Sequence, residues 1–284
     1  MRLSRRLPLV TLVGTAVVAL ASAAVATPVS SGSGSASGRT IGVIRPAPAA
    51  TVNATTSSNW FGYNISAVAR NENFRQVGGT WRVPRATQHK KGQAEYSSSW
   101  IGIGGGCVRQ NQFGCTSGDN TLIQAGTEQS IAPNGAASYH SWYELIPAPS
   151  IQTPLVVGPN HMVRANIRQT VVGIWRISLE NLSTGKSWST TVPYTSTYRT
   201  AEWITETPIV IGTDAAGLAA LPNLTPVHFD WTSVNGRNPR LRSSERVFLA
   251  PGQQIIGAPS LPQPEGNGFA ACAWRTTCAV PANF

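Results

Sequence analysis

The 284-residue chain carries a formal charge of +10, and three of its basic residues lie within the first six positions. The other arginines are scattered, and no aromatic–basic motif of a DNA- or RNA-binding module is present, so the charge indicates a solvated surface and predicts no nucleic-acid partner. Only 12% of the residues are charged and aspartate occurs three times, so a hydrolytic site built on carboxylates has few residues to draw on.

The first 26 residues have the pattern of a secretory signal peptide. Arg2, Arg5 and Arg6 precede an apolar run at residues 7–24, and an Ala-Val-Ala triplet ends at residue 26. A signal anchor retained in the membrane is the alternative, but the run is short for a bilayer span. We therefore expect cleavage near residue 26, secretion to the extracellular medium and no stable membrane association.

Residues 27–56 consist mainly of Ser, Gly, Ala, Pro and Thr, with almost no bulky apolar side chains. Such a segment buries too little surface to offset its ordering entropy, so it is interpreted as a linker or propeptide. Residues 57–284 then form one domain, and a monomer is expected.

From residue 60 onward, short apolar or alternating runs are separated by Gly, Pro and Asn, which is typical of strands and turns. Residues 175–192 predict a hairpin in which Gly185 supplies the turn. A helical turn or two is expected only in "TDAAGLAALPNL", before Pro222. The chain is therefore predicted to be all-β, with two stacked antiparallel sheets.

Four cysteines in an exported chain favour disulfides. Their spacings suggest the local pairs Cys107–Cys115 and Cys272–Cys278, although four cysteines allow three connectivities. A zinc site is the alternative, but it lacks close Cys-x-x-Cys pairs and neighbouring histidines, so no metal and no cofactor are expected.

The motifs of a serine hydrolase elbow and of an aspartic protease are missing from the sequence, which leaves glutamates as candidate catalysts. Glu144 in "SWYELIP" and Glu202 and Glu206 in "TAEWITE" lie in aromatic, strand-like settings, where desolvation would raise a carboxyl pKa. Two such glutamates across a groove are also the arrangement of many glycosidases. On these residues alone, peptide and glycoside bonds remain equally good substrates.

Eight stretches in chain order carry a resemblance to a known family. They are "SSNWFGY" (57–63), "GGTWRVP" (78–84), "SSWIGIGG" (98–105), "TLIQAGTEQ" (121–129), "SWYELIP" (141–147), "SLENLSTGK" (178–186), "TAEWITE" (200–206) and "PVHFDWTSVNG" (226–236). Together they make the chain resemble the glutamic peptidases, or eqolisins.

The resemblance implies a β-sandwich of two curved antiparallel sheets, of the concanavalin A-like or jelly-roll type. It also implies a catalytic pair formed by Gln124 and Glu206. Trp100 would support the pair, and Trp142 and Glu144 belong to the family's Trp-Tyr-Glu motif. The sequence departs from the family at Gly104, where members often carry an acid.

Glu202 shares a strand face with Glu206 if the strand is regular, so it is a candidate to orient Glu206 or to raise its pKa. The resemblance predicts a secreted acid endopeptidase that is insensitive to pepstatin, acts on polypeptides and forms no covalent intermediate. A glycoside hydrolase using Glu144 and Glu206, and a lectin-like binding module that uses tryptophans as stacking platforms, are the alternatives.

Overall fold

The computed structural model describes residues 56–111, 114–211 and 216–284. The predicted signal peptide and all but the last residue of the predicted propeptide lie outside the described residues. No helix in the described part of the chain has the length and apolar character needed to span a bilayer.

Strands dominate the described residues, as the alternating sequence predicts. In chain order the elements are β1 (Thr56–Ser57), β2 (Trp60–Ser66), α1 (Ala67–Arg70), β3 (Gln76–Arg82), β4 (Ala86–Thr87), β5 (Glu95–Gly104), β6 (Cys107–Asn111), β7 (Gly114–Gly118), β8 (Leu122–Ile131), β9 (Ala137–Leu145), β10 (Ile151–Gln152), β11 (Met162–Val171), β12 (Ile174–Asn181), β13 (Lys186–Pro193), β14 (Thr200–Glu206), β15 (Ile209–Ile211), β16 (Ala216–Leu218), β17 (Asn223–Leu224), β18 (Val227–Val234), the 3₁₀ turn η1 (Ser243–Glu245), β19 (Arg246–Leu249), β20 (Gly257–Pro259) and β21 (Phe269–Ala273).

The long strands form two packed layers, so the predicted β-sandwich is confirmed. The front sheet has the order β10-β9-β8-β5-β14-β2-β19, and the back sheet has the order β20-β21-β18-β3-β11-β12-β13. Strand β19 joins them, because Val247 pairs with Gly62 of β2 and Leu249 pairs with Gly257 of β20. Neighbouring strands in both orders are antiparallel, and the short strand β1 pairs in parallel with β19.

The core lies between the two layers and is filled by one face of each strand. Buried tryptophans satisfy their indole N–H groups across the interface: Trp81 of β3 donates to Thr127 Oγ1 at 3.0 Å, and Trp203 of β14 donates to the Gly78 carbonyl at 2.8 Å. Burying side chains of this size contributes roughly 1.5–3 kcal/mol each. The core therefore fixes which face of β14 points inward, and leaves the other face for the site.

Two local predictions are confirmed and one is wrong. The hairpin of β12 and β13 pairs Asn181 with Lys186 and turns through Gly185 at φ 66°. The cysteines form the disulfides Cys107–Cys115 and Cys272–Cys278, so they are not zinc ligands. The helical turn expected in residues 213–224 is not formed by the described part of that segment. Strand β16 pairs there with β15 and strand β17 with β4, so sheet pairing overrides the local alanine-rich propensity.

Candidate active site

One face of the front sheet points away from the core, and we call it the site face. Because side chains alternate along a strand, the site face carries the even-numbered residues of β2, β5, β8, β9 and β14. The odd-numbered neighbours, such as Ile101 and Trp203, belong to the core. This alternation brings Gln124, Glu144, Glu202 and Glu206 to one face of one sheet.

The Gln124 side chain lies at one end of the site face and contacts Glu144. The two residues are directly paired across β8 and β9, and Gln124 Nε2 donates to Glu144 Oε2 at 2.5 Å. Across β5 and β14 the same row continues through Gly102 to Glu202. All three polar side chains of this row are fully buried.

Glu206 lies two rows away on β14 and accepts hydrogen bonds from two N–H groups. Trp100 Nε1 donates to Oε2 at 2.7 Å, and Asn59 Nδ2 donates to Oε1 at 3.0 Å. The Asn59 amide is itself oriented by Ser57, whose hydroxyl donates to Asn59 Oδ1 at 3.1 Å. A buried carboxylate with two N–H donors is well placed to carry a negative charge.

The row between Gln124 and Glu206 contains Trp100 and Trp142, separated by Gly126. Glycine is required here, because a Cβ on Gly126 would lie 2.5 Å from the Trp100 Cβ, and one on Gly102 would lie 3.0 Å from Trp100 Cζ3. The Trp100 indole thus extends from the row of Gln124 to the carboxylate of Glu206. The edge of Trp60 packs against it, with ring centroids 4.9 Å apart.

Several buried polar atoms on the site face have no hydrogen-bond partner. They are Trp60 Nε1, Asn64 Oδ1, Ser98 Oγ, Gln124 Oε1, Trp142 Nε1, Glu144 Oε1 and both carboxyl oxygens of Glu202. Leaving a buried polar group unpaired costs about 1–3 kcal/mol, so such a concentration in one place is expected where a ligand or water completes the bonding. Donors and acceptors are both present in the set, as binding of a peptide backbone requires.

Burial raises the pKa of the Glu206 carboxyl to about 8, and the N–H groups of Trp100, Trp60 and Asn59 oppose that rise. Trp60 acts through proximity, since its indole nitrogen makes no hydrogen bond of standard geometry. Burial also raises the pKa of Glu144 to about 9. Gln124 and the Ser150 backbone lower this pKa, whereas the charge of Glu206 raises it further. The charge of Glu206 therefore makes ionisation of Glu144 less favourable.

Glu202 lies on the same face as Glu206 but has different neighbours. Burial raises its pKa well above the usual value, Asp119 adds to the rise, and the Thr200 hydroxyl lowers it without making a well-formed hydrogen bond to either oxygen. The position that a Cβ on Gly106 would occupy is 2.6 Å from Glu202 Oε1 and 2.0 Å from Asn64 Oδ1. Glu206 is not among the groups that shift the Glu202 pKa.

The backbone conformation explains why residue 104 is a glycine and not the acid that the resemblance leads us to expect. Gly104 adopts φ +99°, and a Cβ there would lie 1.9 Å from the carbonyl oxygen of Thr121. Neither that conformation nor that space accepts a side chain. The acid that family members often carry could therefore not be placed in this chain without moving the backbone.

Across residues 56–111, 114–211 and 216–284, no three His, Cys, Asp or Glu side chains are grouped so that they could hold a metal ion.

The family model described as the peptidase A4 family matches residues 58–250, which is more than half of the chain. The chain belongs to the peptidase A4 family, the eqolisins. No curated protein sequence matches it closely enough to count as a relative. The matched range contains every residue of the site face described above.

Solved structures of eqolisins have the same fold. Scytalidoglutamic peptidase with a peptide-based transition-state analogue matches with a TM-score of 0.55 and 20% identity, over 77% of this chain and 100% of that one. SCP-B in complex with the tripeptide Ala-Ile-His matches with a TM-score of 0.53 and 19% identity, over 78% and 100%. Aspergilloglutamic peptidase from Aspergillus niger matches with a TM-score of 0.51 and 19% identity, over 63% and 99%.

The eqolisin fold brings the residues singled out in the sequence to one face, where they form two separate hydrogen-bonded pairs. Trp100 contacts Glu206, Gln124 contacts Glu144, and Trp142 lies in the row between them with 3% of its surface exposed. Sequence reasoning missed Asn59 and Trp60 as site residues. Both lie in the quoted "SSNWFGY" motif, but their approach to Glu206 depends on pairing between β2 and β14.

Proposed function

We propose that this eqolisin is a secreted acid endopeptidase in which Glu206 and Gln124 activate water and stabilise the oxyanion, without a covalent intermediate. We include in the proposal that it acts as a monomer on polypeptides. The observation that carries it is the environment of Glu206: a buried carboxyl with two N–H donors, on the same sheet face as an amide with an unpartnered oxygen.

In the proposed reaction, ionised Glu206 accepts a proton from water while the water oxygen bonds to the scissile carbonyl carbon. The carbonyl oxygen becomes an oxyanion, to which Gln124 donates an amide N–H. Glu206 then transfers the same proton to the amine nitrogen as the C–N bond breaks. The two products leave Glu206 ionised again, so the cycle is balanced without any further group.

Burial of the carboxyl is the main cause of the raised pKa of Glu206, and hydrolysis needs water beside this group. When water enters with the substrate, the desolvation that raises the pKa is relieved, whereas Asn59 and Trp100 still donate to the carboxylate. The pKa of the hydrated group should then fall from its raised value toward the usual range. The two remaining donors favour the ionised form that a base requires.

The site face also supports an extended peptide as substrate. Its apolar cluster joins the indoles of Trp60, Trp100 and Trp142 with Ile146, next to the unpartnered donors and acceptors. Apolar side chains beside unpartnered polar side-chain atoms suit a chain that alternates apolar side chains with amide groups. The tripeptide in SCP-B and the peptide-based analogue in scytalidoglutamic peptidase are ligands of this kind in the same fold.

Digestion of a denatured protein over a range of pH, with and without pepstatin, tests the proposal. We expect cleavage at acidic pH that pepstatin does not inhibit. Gln124→Ala should lower kcat roughly a hundredfold to a thousandfold, because it removes the oxyanion donor. The exposed Gln253→Ala serves as the matched control and should cleave as the wild type does.

Two results would contradict the proposal. Unchanged proteolysis by a natively folded Gln124→Ala would remove the amide from the mechanism. Sugar release without any peptide cleavage would instead support a glycosidase that uses Glu144 and Glu206.

A further inference from the structure

We propose that Glu144 works in its protonated form, as half of a cyclic acid–amide pair that fixes the orientation of the Gln124 amide. This inference rests on the proposed function, since it assigns a task to the amide that stabilises the oxyanion. Glu144 is then a positioning residue, because it acts through Gln124 and not on the substrate.

The hydrogen bond already present forms one half of such a pair. Gln124 Nε2 donates to Glu144 Oε2 at 2.5 Å, between residues directly opposite each other on β8 and β9. The other oxygens of the same two groups, Gln124 Oε1 and Glu144 Oε1, are both buried and unpartnered. Two acceptors cannot bond each other, but a proton on Glu144 Oε1 turns that oxygen into a donor to Gln124 Oε1.

The surroundings of Glu144 favour that proton. The titratable groups that interact with it are Glu206 from β14 and Tyr194 from the segment after β13, whereas Glu128 of β8 and His140 of its own strand pair with each other two rows away. Strand β10 presents only Ile151 and Gln152, and Glu206 is the charged neighbour that shifts the Glu144 pKa, upward. No lysine or arginine is among the groups that shift it within the described residues.

The paired arrangement has a consequence for catalysis. A neutral acid and a primary amide joined by two hydrogen bonds are held coplanar, and the second N–H of Gln124 is left free in a fixed direction. When Glu144 ionises, its Oε1 and Gln124 Oε1 repel each other, one hydrogen bond is lost, and the amide can rotate. The oxyanion donor is then no longer held in place, so activity should fall as Glu144 loses its proton.

Two substitutions separate this role from a merely structural one. In Glu144→Gln, the new amide N–H can donate permanently to Gln124 Oε1 while its carbonyl accepts from Gln124 Nε2, so the pair no longer depends on pH. In Glu144→Leu, a side chain of similar size makes neither bond. The half-exposed Glu180→Gln on β12 is the control for loss of one carboxylate.

The pH profile of kcat/KM is the decisive measurement, with circular dichroism recorded at each pH. We expect the wild type and Glu180→Gln to lose at least tenfold in kcat/KM on the alkaline side. Glu144→Gln should keep its acid activity and lack that fall, and Glu144→Leu should be at least tenfold slower than the wild type at acidic pH, with no further fall on the alkaline side. An alkaline fall that persists unchanged in Glu144→Gln, or full activity in Glu144→Leu, would overturn the inference.

Infrared difference spectra between wild type and Glu144→Gln provide a measurement that does not depend on activity. At neutral pH the difference should contain the C=O stretch of a protonated carboxyl, and a carboxylate band there instead would overturn the inference. A wild type that cleaves no peptide at any pH would refute the proposed function, whereas the infrared result would still decide the protonation state of Glu144.

Discussion

The two glutamates of β14 are alike in sequence and opposite in environment. Glu202 and Glu206 lie four residues apart on one face, and both are fully buried. Glu206 accepts from Asn59 and Trp100, so the groups around it stabilise a negative charge. Glu202 is so deeply buried that its pKa rises well above the usual value, and the charge of Asp119 adds to that rise, whereas the Thr200 hydroxyl opposes it without a well-formed hydrogen bond.

Equal burial therefore does not make two carboxyls equivalent. Desolvation raises both pKa values, and the polarity of the nearest atoms decides what happens when water enters. Glu206 has donors that remain after hydration and can act as a base. Glu202 has an unpartnered acceptor, Asn64 Oδ1, on the neighbouring strand and no well-formed donor, so its surroundings favour the neutral acid. The difference separates a site suited to proton transfer from one suited to structure.

The largest expected effect distinguishes the two residues directly. Glu206→Gln should lower kcat roughly a thousandfold with the fold intact, because the base is removed. Glu202→Gln should change kcat less than tenfold, because a neutral amide replaces a neutral acid of the same shape. Steady-state kinetics at acidic pH, with circular dichroism on both variants, measure this. Equal losses in the two variants would show that the comparison is wrong.

A smaller effect is expected from substitution of Gly104, in the glycine segment 104–106 beside Glu202. Gly104→Asp restores the acid often found in the family, but forces a side chain into φ +99° and against the Thr121 carbonyl. We expect it to lower the free energy of unfolding by about 2 kcal/mol or more. Gly252→Asp, where a Cβ meets nothing within 4 Å, is the control. Urea denaturation of both variants tests this, and equal midpoints would contradict the steric argument.

Asn59→Asp should make the surroundings of Glu206 resemble those of Glu202. The substitution replaces an N–H donor by a carboxylate, so the pKa of Glu206 should rise and the acid side of the pH profile should move to higher pH. We expect roughly a tenfold loss of kcat/KM at acidic pH, with partial recovery as the pH rises. Asn134→Asp, in an exposed turn, is the matched control. An unshifted profile would show that Asn59 does not tune Glu206.

The smallest expected effect, counted per pH unit and per carboxyl group, is the change in the free energy of unfolding with pH. Carboxyls whose folded pKa is raised bind more protons in the native state, so their stabilisation is complete below the unfolded value near 4.5 and is lost as the pH rises through the folded pKa. Between 4.5 and about 8, each such group should lower the free energy of unfolding by about 1.4 kcal/mol per pH unit.

Glu202→Gln should make the free energy of unfolding decline less steeply with pH, because one of the carboxyls with a raised pKa is removed. Thermal unfolding followed at several pH values measures it. A wild-type protein that becomes more stable from acidic to neutral pH would contradict the sign.

Much of the architecture follows from local patterns. Alternating runs and Gly, Pro and Asn punctuation predict the strands of both sheets, and short cysteine spacings suggest both disulfides. The strand parity of "TAEWITE" also predicts that Glu202 and Glu206 share a face. The segment at 213–224 was harder, because its pairing partners, β15 and β4, set its conformation more than its own residues do.

The environment of each site residue could not be predicted in this way. Asn59 is 147 positions from Glu206 and Trp100 is 106 positions from it, so their hydrogen bonds exist only after the strands are registered. Whether a buried carboxyl meets donors or acceptors is a property of those neighbours. Sequence motifs identify the residues of the site, but the register of the strands determines which donors and acceptors surround each carboxyl.

The position of Asn59 links the proposed base to β1, the first strand that the structure describes. Strand β1 pairs in parallel with β19, and the Ser57 carbonyl accepts from the Ala250 N–H at 2.7 Å, two residues before Asn59. If the segment before residue 57 is removed on maturation, the extent of trimming controls whether this anchor survives. Cutting a few residues further would free Asn59 from its support and weaken its hold on Glu206, so accurate processing would itself be a condition for an acid-active enzyme.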